Sequence, residues 1–111
     1  MKEPVDFSRF LDLDMRVGRV VGVEDANTRK PLYRVTVDFG EEIGTRTSIA
    51  GYADYPKEAL MGRLVVAVLN FPPKKMGPET SELFILGAEN AEGRAVYVTV
   101  ESEVPLGQVV V

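Results

Sequence analysis

Hydrophobic residues along the chain recur mainly at strand spacing, in short runs separated by glycine, proline and charged residues. In YRVTVDF (33–39) apolar residues occupy the odd positions and polar residues the even ones, a pattern typical of a strand with one buried face. RLVVAVLNF (63–71) is almost continuously apolar, as expected for a strand that is covered on both sides or curled in a barrel. Gly18 predicts a bulge or tight bend in the first strand. The pattern predicts five main strands, near 15–24, 33–40, 43–51, 63–71 and 83–88, a further run at 95–101 and a short closing strand at 109–111.

Two segments have helical spacing, DFSRFLDL (6–13) and YPKEALMG (55–62). The second has a proline in its first turn and a glycine just past its end. We expect both helices to cap the open ends of a barrel. A helix between the third and fourth of five strands is the order of an OB-fold. We therefore predict an all-β, five-stranded OB-fold barrel with N- and C-terminal extensions, in which residues 1–111 form a single domain.

The composition argues against several classes of function. The chain has no cysteine and no histidine, so it lacks the usual thiolate nucleophile, general base and transition-metal ligands. No Gly-x-Ser-x-Gly motif is present, and Ser81 beside Glu82 has no histidine partner. We expect no catalysis, no metal site and no cofactor. The N-terminus lacks the pattern of a signal peptide and the longest apolar stretch is too short for a membrane span, so we expect a cytoplasmic protein without membrane contact.

Charge is unevenly distributed along the chain. The net charge is −4, but residues 16–75 contain ten basic and seven acidic side chains, whereas residues 76–111 contain one basic and six acidic. This separation indicates a local basic surface on an acidic protein. The acidic residues of the C-terminal third either face away from a polyanionic partner or serve solubility alone.

Several motifs together resemble the tRNA-binding OB-fold family: LDMRVGRVVGVE (13–24), KPLYRVTVDFGEE (30–42), TSIAGY (47–52), YPKEALMGRLVVAVLNFPPKKMGPETSELFILGA (55–88) and VPLGQVVV (104–111). This family includes the C-terminal domain of bacterial methionyl-tRNA synthetase, EMAP-II-like domains and CsaA proteins. The segment 81–87 lacks the Gly-Met pair of the synthetase type and is similar to the CsaA form, as is the Asn-Phe-Pro-Pro-basic-basic segment before it. The resemblance implies a homodimer that binds tRNA, and alternatively an export-related chaperone for unfolded secretory polypeptides.

The basic residues suggest how RNA would be bound. Pro72 and Pro73 stiffen the chain before Lys74 and Lys75, so we expect these lysines to lie on a preorganised, exposed bend. Arg34 and the arginine of the third strand are expected to project from one face of adjacent antiparallel strands, where guanidinium groups suit phosphate oxygens. The predicted RNA-binding residues are Lys30, Arg34, Arg46, Ser48, Asn70, Lys74, Lys75 and Ser81.

Some of these residues have a structural alternative. Asn70 and Ser81 either contact RNA or satisfy backbone groups where the strands part. Arg16 is expected to form an ion pair with Asp14 or Asp38. Glu82 would repel phosphate, so we expect it to orient a nearby basic side chain.

Outward-facing aromatic residues are few, with only Tyr52, Tyr55 and Phe71 as candidates for base stacking. We therefore expect recognition of folded RNA through its backbone, with little reading of sequence.

Two further expectations concern protein partners. Phe71, Met76 and Leu83 would contact a polypeptide, or pack as ordinary core and loop residues. The N-terminal apolar stripe of 6–13 and the C-terminal valines either pack within the barrel or lie at the two-fold of a dimer.

Overall fold

The protein is described by a computed structural model that covers all residues from Met1 to Val111. The helices are α1 (Ser8–Leu11) and α2 (Lys57–Leu60). The strands are β1 (Met15–Asp25), β2 (Tyr33–Asp38), β3 (Thr45–Ala50), β4 (Leu64–Val68), β5 (Lys74–Met76), β6 (Glu79–Ser81), β7 (Phe84–Ile85), β8 (Gly87–Glu89) and β9 (Ala95–Tyr97).

Five strands form one antiparallel sheet in the order β3-β2-β1-β4-β7. The sheet curls into a nearly closed barrel, with α2 between the third and fourth strands. This confirms the predicted all-β OB-like barrel. The alternation predicted for β2 is also confirmed, because its odd residues are buried and its even residues are half-buried.

The core lies inside this barrel. Every residue of β4 is buried, as its continuous apolarity predicted. The largest fully buried side chains come from β1, β2, β4 and the residue after β2, so the first, second and fourth strands enclose the centre of the barrel. They are Val20, Val35, Val37, Phe39, Val65 and Val68.

Gly18 serves close packing, not a bulge. A Cβ atom at this position would lie 2.5 Å from Val37 Cγ1 and 2.7 Å from a ring carbon of Phe39, so the core fits against a bare backbone here. The irregularity of β1 occurs two residues later, where the pairing with β2 shifts between Val20 and Gly22. The sequence prediction was therefore wrong about the bulge at Gly18.

The two helices differ in their contact with the core. Leu60 of α2 is buried in the barrel, which confirms the predicted capping role of this helix. Helix α1 buries no residue, so the same expectation for the N-terminal segment was wrong. None of the protein's helices combines the length and apolarity needed to cross a bilayer.

The C-terminal valines pair only briefly with the barrel. Val109 forms a single antiparallel bridge with Arg16, and the Val110 N–H donates to the carbonyl of Met15. The predicted closing strand is thus reduced to a bridge beside β1.

Two small hairpins, β5–β6 and β8–β9, complete the fold. The first lies within a segment that the sequence predicted only as a stiff bend. It carries Lys74 and Lys75, and it borders the site described below.

Candidate nucleic-acid interface

Hairpin β5–β6 is built by a tight turn. Lys74 pairs with Ser81, Lys75 with Thr80 and Met76 with Glu79, around a two-residue connection of Gly77 and Pro78. Gly77 has a φ of +63°, which glycine adopts at little cost, and proline follows it with its φ already restricted. The hairpin therefore has a defined conformation, as was expected of a preorganised segment.

The two lysines point in different directions. Both are exposed, but adjacent residues of a strand project to opposite sides. Lys74 lines a groove together with Met76 and Ser81, whereas Lys75 does not. Hairpin β5–β6 thus presents one lysine to the groove and the other to its outer side.

Arg34 and Glu79 fasten this hairpin to the barrel. The guanidinium of Arg34 on β2 donates from Nη2 to Glu79 Oε2 at 2.7 Å and from Nε to Oε1 at 3.2 Å. The Asn27 N–H also donates to Oε2 at 2.7 Å. Glu24 accepts a further bond from Arg34 Nη1 at 3.2 Å. A two-pronged contact of this kind fixes direction as well as distance.

The ionisation of both partners follows from this contact. Glu79 is 8% exposed, yet the hydrogen bond from Arg34 and that from the Asn27 N–H hold the pKa of its carboxyl below the ordinary value. The hydrogen bonds that Arg34 donates to Glu79 also raise the pKa of Arg34. Arg34 is therefore occupied by carboxylates instead of projecting freely toward a phosphate.

The expectation that the arginines of β2 and β3 share one face was wrong. In the antiparallel register Arg34 lies opposite Ile49, and Arg46 lies opposite Val37. Residues directly opposite each other project to the same side, and Val37 is a core residue on the other side of β2 from Arg34. Arg46 is exposed because it lies near the end of the sheet, not because it shares the outer face of β2.

Five basic residues around hairpin β5–β6 have no carboxylate within 4 Å. We call them the basic surface, and they are Arg29, Lys30, Arg46, Lys74 and Lys75. All five are exposed. They belong to the β1–β2 loop, β3 and β5.

Contacts show that these three elements are neighbours. A cavity of about 660 Å³ is lined by Arg29 and Lys30 on one side and by Met76, Gly77 and Pro78 of the hairpin on the other. Lys74 lines the groove that also borders β3. The fold therefore places the β1–β2 loop and β3, which carry three of these residues, next to the hairpin that carries the other two.

The carboxylate of Glu82 is hydrogen-bonded to β3. Its carboxylate Oε1 accepts from the Thr47 N–H at 2.9 Å and from the Thr47 hydroxyl at 2.8 Å, and both bonds lower its pKa. The charge of nearby Arg46 lowers it further, without an ion pair within 4 Å. Glu82 thus closes the barrel at β3, and its negative charge lies beside Arg46.

Asn70 and Ser81 satisfy backbone groups where the strands part, which was the structural alternative to RNA contact. The Asn70 amide accepts from the Asp14 N–H and donates to the Asp12 carbonyl, each at 2.8 Å. The Ser81 hydroxyl accepts from the Ile49 N–H at 3.0 Å and donates to the Leu83 carbonyl at 3.2 Å. Their polar atoms are thus already in use.

The structure also defines the surroundings of Ser48 and Arg16. Ser48 is buried, with 3% of its surface exposed, at the wall of the groove. Arg16 Nε pairs with Asp14 Oδ1 at 2.7 Å, as one of its two predicted partners.

The groove beside Lys74 has a volume of about 440 Å³ and mostly apolar walls. It lies between β3, hairpin β5–β6 and β7, and it contains the predicted peptide-contact residues Phe71, Met76 and Leu83. Phe71 is exposed, Met76 is half-buried and Leu83 belongs to the core. The groove is therefore apolar along its walls, with a cation at its edge.

Phe84 is a groove residue that was not predicted from the sequence. This residue is 52% exposed on β7, and its ring lies 6.1 Å from that of Phe71, centroid to centroid. The signal was present, because Phe84 stands between Leu83 and Ile85, which alternation turns inward. Phe71 and Phe84 form the exposed aromatic pair of the groove.

Tyr52 was wrongly considered for base stacking. It is buried, and its hydroxyl donates to the Leu86 carbonyl at 3.1 Å. Its ring packs with those of Tyr55 and Tyr97. Burial raises the pKa of Tyr52 to about 12.

Acidic side chains do not gather into a metal site. No group of three or more histidine, cysteine, aspartate and glutamate side chains lies close enough together to hold a metal ion.

Comparisons with known proteins agree with this geometry. The structure superposes on the chaperone CsaA from Bacillus anthracis with a TM-score of 0.91 and 35% identity, covering 98% of this chain and 100% of that one. A MetRS-related protein from Pyrococcus horikoshii gives a TM-score of 0.86 and 34% identity, covering 98% and 99% of the two chains. These similarities span the whole barrel and both hairpins.

A methionine–tRNA ligase from Methanococcus vannielii is 37% identical over 106 residues, which are 95% of this chain and 16% of the ligase. The chain therefore corresponds to a small part of that enzyme. The model of the tRNA binding domain family matches residues 15–109, from the start of β1 to the C-terminal bridge. The protein thus belongs to the tRNA binding domain family.

Proposed function

We propose that residues 1–111 act as one non-catalytic tRNA-binding unit, which contacts the backbone of folded RNA through the basic surface. The observation that supports this most strongly is the set of five exposed cations without carboxylate partners on three neighbouring elements. An acidic protein that keeps these charges unpaired attracts a polyanion locally. Membership in the tRNA binding domain family points to the same ligand class.

The proposed roles differ from residue to residue. Lys30, Lys74 and Lys75 supply point charges to phosphates, and Arg46 supplies a planar guanidinium. The stiff turn at Gly77 and Pro78 reduces the entropy lost when hairpin β5–β6 binds.

Three of the predicted RNA-binding residues receive supporting roles in this proposal. Arg34 holds the hairpin in place through Glu79, while Asn70 and Ser81 hold the strands that flank it.

Filter binding with purified tRNA tests the proposal. Retention is expected at about 50 mM salt and should weaken strongly by about 200 mM, because phosphate contacts release counterions. Retention of RNA with the protein during isolation at low salt, followed by sequencing, would identify the RNA. Absence of binding at low salt would refute the proposed function.

We also propose that the protein is a homodimer in the cytoplasm. The support is the N-terminal segment, where Val5, Phe7 and Leu11 are each more than 60% exposed in one chain. The Phe7 and Phe10 rings stack at 5.6 Å, so this apolar stripe is ordered as well as exposed. A two-fold contact would cover it and join two weak RNA sites into a stronger one.

Light scattering tests the dimer. The wild type is expected at twice the mass of one chain, and Phe7→Glu with Leu11→Glu is expected to give single chains. A monomeric wild type would refute this part of the proposal.

A second candidate function is chaperone binding of unfolded secretory polypeptides. Two observations favour it: the apolar groove with Phe71 and Met76 at its wall, and the structural similarity to a protein named as a chaperone. Suppression of aggregation of an unfolded client should then persist in Lys74→Glu with Lys75→Glu, while tRNA binding falls. Loss of both activities in this variant would show that they share a surface.

A further inference from the structure

The exposed aromatic pair of the groove is not explained by binding to the backbone of folded RNA. Phe71 and Phe84 are 44% and 52% exposed, the first in the bend after β4 and the second on β7. Phe84 lies on β7 in register with Val68 of β4, and Phe71 follows Asn70, whose amide is bonded to the N-terminal segment. Prolines 72 and 73 restrict the chain immediately after Phe71. The backbone that carries the two rings is therefore restricted before any ligand arrives.

From this arrangement we propose that the aromatic pair is a binding site for one unpaired nucleobase of the RNA. The inference rests on the proposed function and extends it from the phosphate backbone to a base. A base stacks on aromatic rings without regard to its identity, because every base has a π-face. The rings lie 6.1 Å apart with planes inclined at 55°, so they present an angled apolar surface and not a closed slot.

Charge in the groove fits a single nucleotide. Lys74 lines the same groove, three residues after Phe71, and has no carboxylate within 4 Å, so it can take the phosphate that accompanies the base. Glu82 and Glu89 also line the groove and would repel further phosphates. The site therefore suits one base and its own phosphate at a time.

The edge of β3 disfavours an extended peptide in the same place. A peptide that adds to a sheet needs free N–H groups on the edge strand. The N–H groups of Thr47 and Ile49 are already taken by Glu82 Oε1 and Ser81 Oγ. The Thr47 carbonyl is taken by the Glu82 N–H. A peptide would find apolar walls here but neither of these N–H groups free, whereas a stacked base needs none.

Exchange of Phe84 for leucine or tyrosine tests the inference. Both variants keep an apolar side chain at an exposed position, but only tyrosine keeps the aromatic ring. The probes are a labelled oligouridylate of about eight nucleotides and a blunt RNA duplex without unpaired bases. Phe84→Leu should weaken binding of the oligouridylate about tenfold, and Phe84→Tyr should restore it. Neither variant should change duplex binding or the salt dependence, because no phosphate contact is altered.

The outcomes separate the inference from the proposed function. If the wild type binds neither tRNA nor oligouridylate, the proposed function fails. If it binds tRNA but not oligouridylate, only the base site is refuted. The same holds if it binds both and Phe84→Leu binds oligouridylate as well as the wild type does. Equal losses in the leucine and tyrosine variants would refute it too.

The Phe84→Leu variant also shows whether a different partner occupies the aromatic pair. A change of oligomeric state in Phe84→Leu by light scattering would assign the pair to a subunit contact. If Phe84→Leu weakens only the binding of an unfolded client protein, the aromatic pair is assigned to polypeptide binding. Either result overturns the inference.

Discussion

Hairpins β5–β6 and β8–β9 are both short additions to the same barrel, but they are attached by different forces. β5–β6 is held by polar contacts, through Glu79 to Arg34 and through Ser81 to Ile49. β8–β9 is held by aromatic packing, through Tyr97 against the rings of Tyr52 and Tyr55. The first exposes two unpaired lysines, and the second exposes Glu89 and Glu92. The polar attachment engages Glu79, the one carboxylate of the first hairpin, with Arg34, which leaves the two lysines free for a ligand.

Reversal of charge on hairpin β5–β6 should have the largest effect. Lys74→Glu with Lys75→Glu is expected to lower tRNA affinity on the order of a hundredfold at about 0.1 M salt, since each lost phosphate contact is worth about tenfold there. Gel shift measures this. Arg94→Glu on the other hairpin is the matched control, because Arg94 is 64% exposed and only loosely paired. An equal loss in the control would mean that the two hairpins do not differ in function.

Removal of the aromatic anchor should affect stability and not binding. Tyr97→Ala is expected to lower the free energy of unfolding by about 2 kcal/mol, as a large ring is lost from a partly buried cluster. Denaturant unfolding measures the change, and tRNA affinity should be unchanged. Val96→Ala, at the neighbouring exposed position, should stay within about 0.5 kcal/mol of the wild type. A fall in tRNA affinity in the folded Tyr97→Ala variant would contradict the separation of roles.

Loss of a polar attachment should cost less. Ser81→Ala removes the acceptor of the Ile49 N–H and is expected to lower the free energy of unfolding by about 1 kcal/mol. Ser102→Ala, at an exposed bend, is the control and should be nearly neutral. Equal stability of the two variants in urea would show that this hydrogen bond does not stabilise the hairpin.

Acid should weaken the attachment of β5–β6 selectively. The pKa of Glu79 lies below the ordinary glutamate value of 4.5, so its ion pair stabilises the fold above pH 4.5. That contribution is lost as the pH falls from 4.5 through the lowered pKa. Glu79→Gln should therefore flatten the decline of unfolding free energy in this range. Glu89 forms no ion pair within 4 Å, so Glu89→Gln should leave the decline of the unfolding free energy unchanged. Parallel declines in the wild type and Glu79→Gln would contradict the assignment.

The barrel followed from the sequence because its signals are local. Alternation along β2, continuous apolarity along β4 and the proline and glycine around α2 each predict an element without knowledge of its partners. Hairpin β5–β6 gave no such signal, since its two strands contain one apolar residue, Met76, and depend on the turn and on Arg34 for their position.

The site was harder to predict because partners and register are not local. Alternation correctly turned Arg34 outward, but only the fold shows Glu79 beside it. The weak alternation of 43–51 left the pairing of β3 open, so Arg46 was assigned to the wrong face. Lys30, Lys74 and Lys75 were found by charge and loop position alone, and the fold leaves all three without an ion pair.

The salt dependence of tRNA affinity tests the basic surface most directly. Each phosphate contact contributes about −0.9 to the slope of log affinity against log salt. About three contacts per protomer predict a wild-type slope near −2 to −3, and Lys74→Glu with Lys75→Glu should make it shallower by about 2. Equal slopes for the two proteins, or an affinity that does not change with salt, would contradict the account.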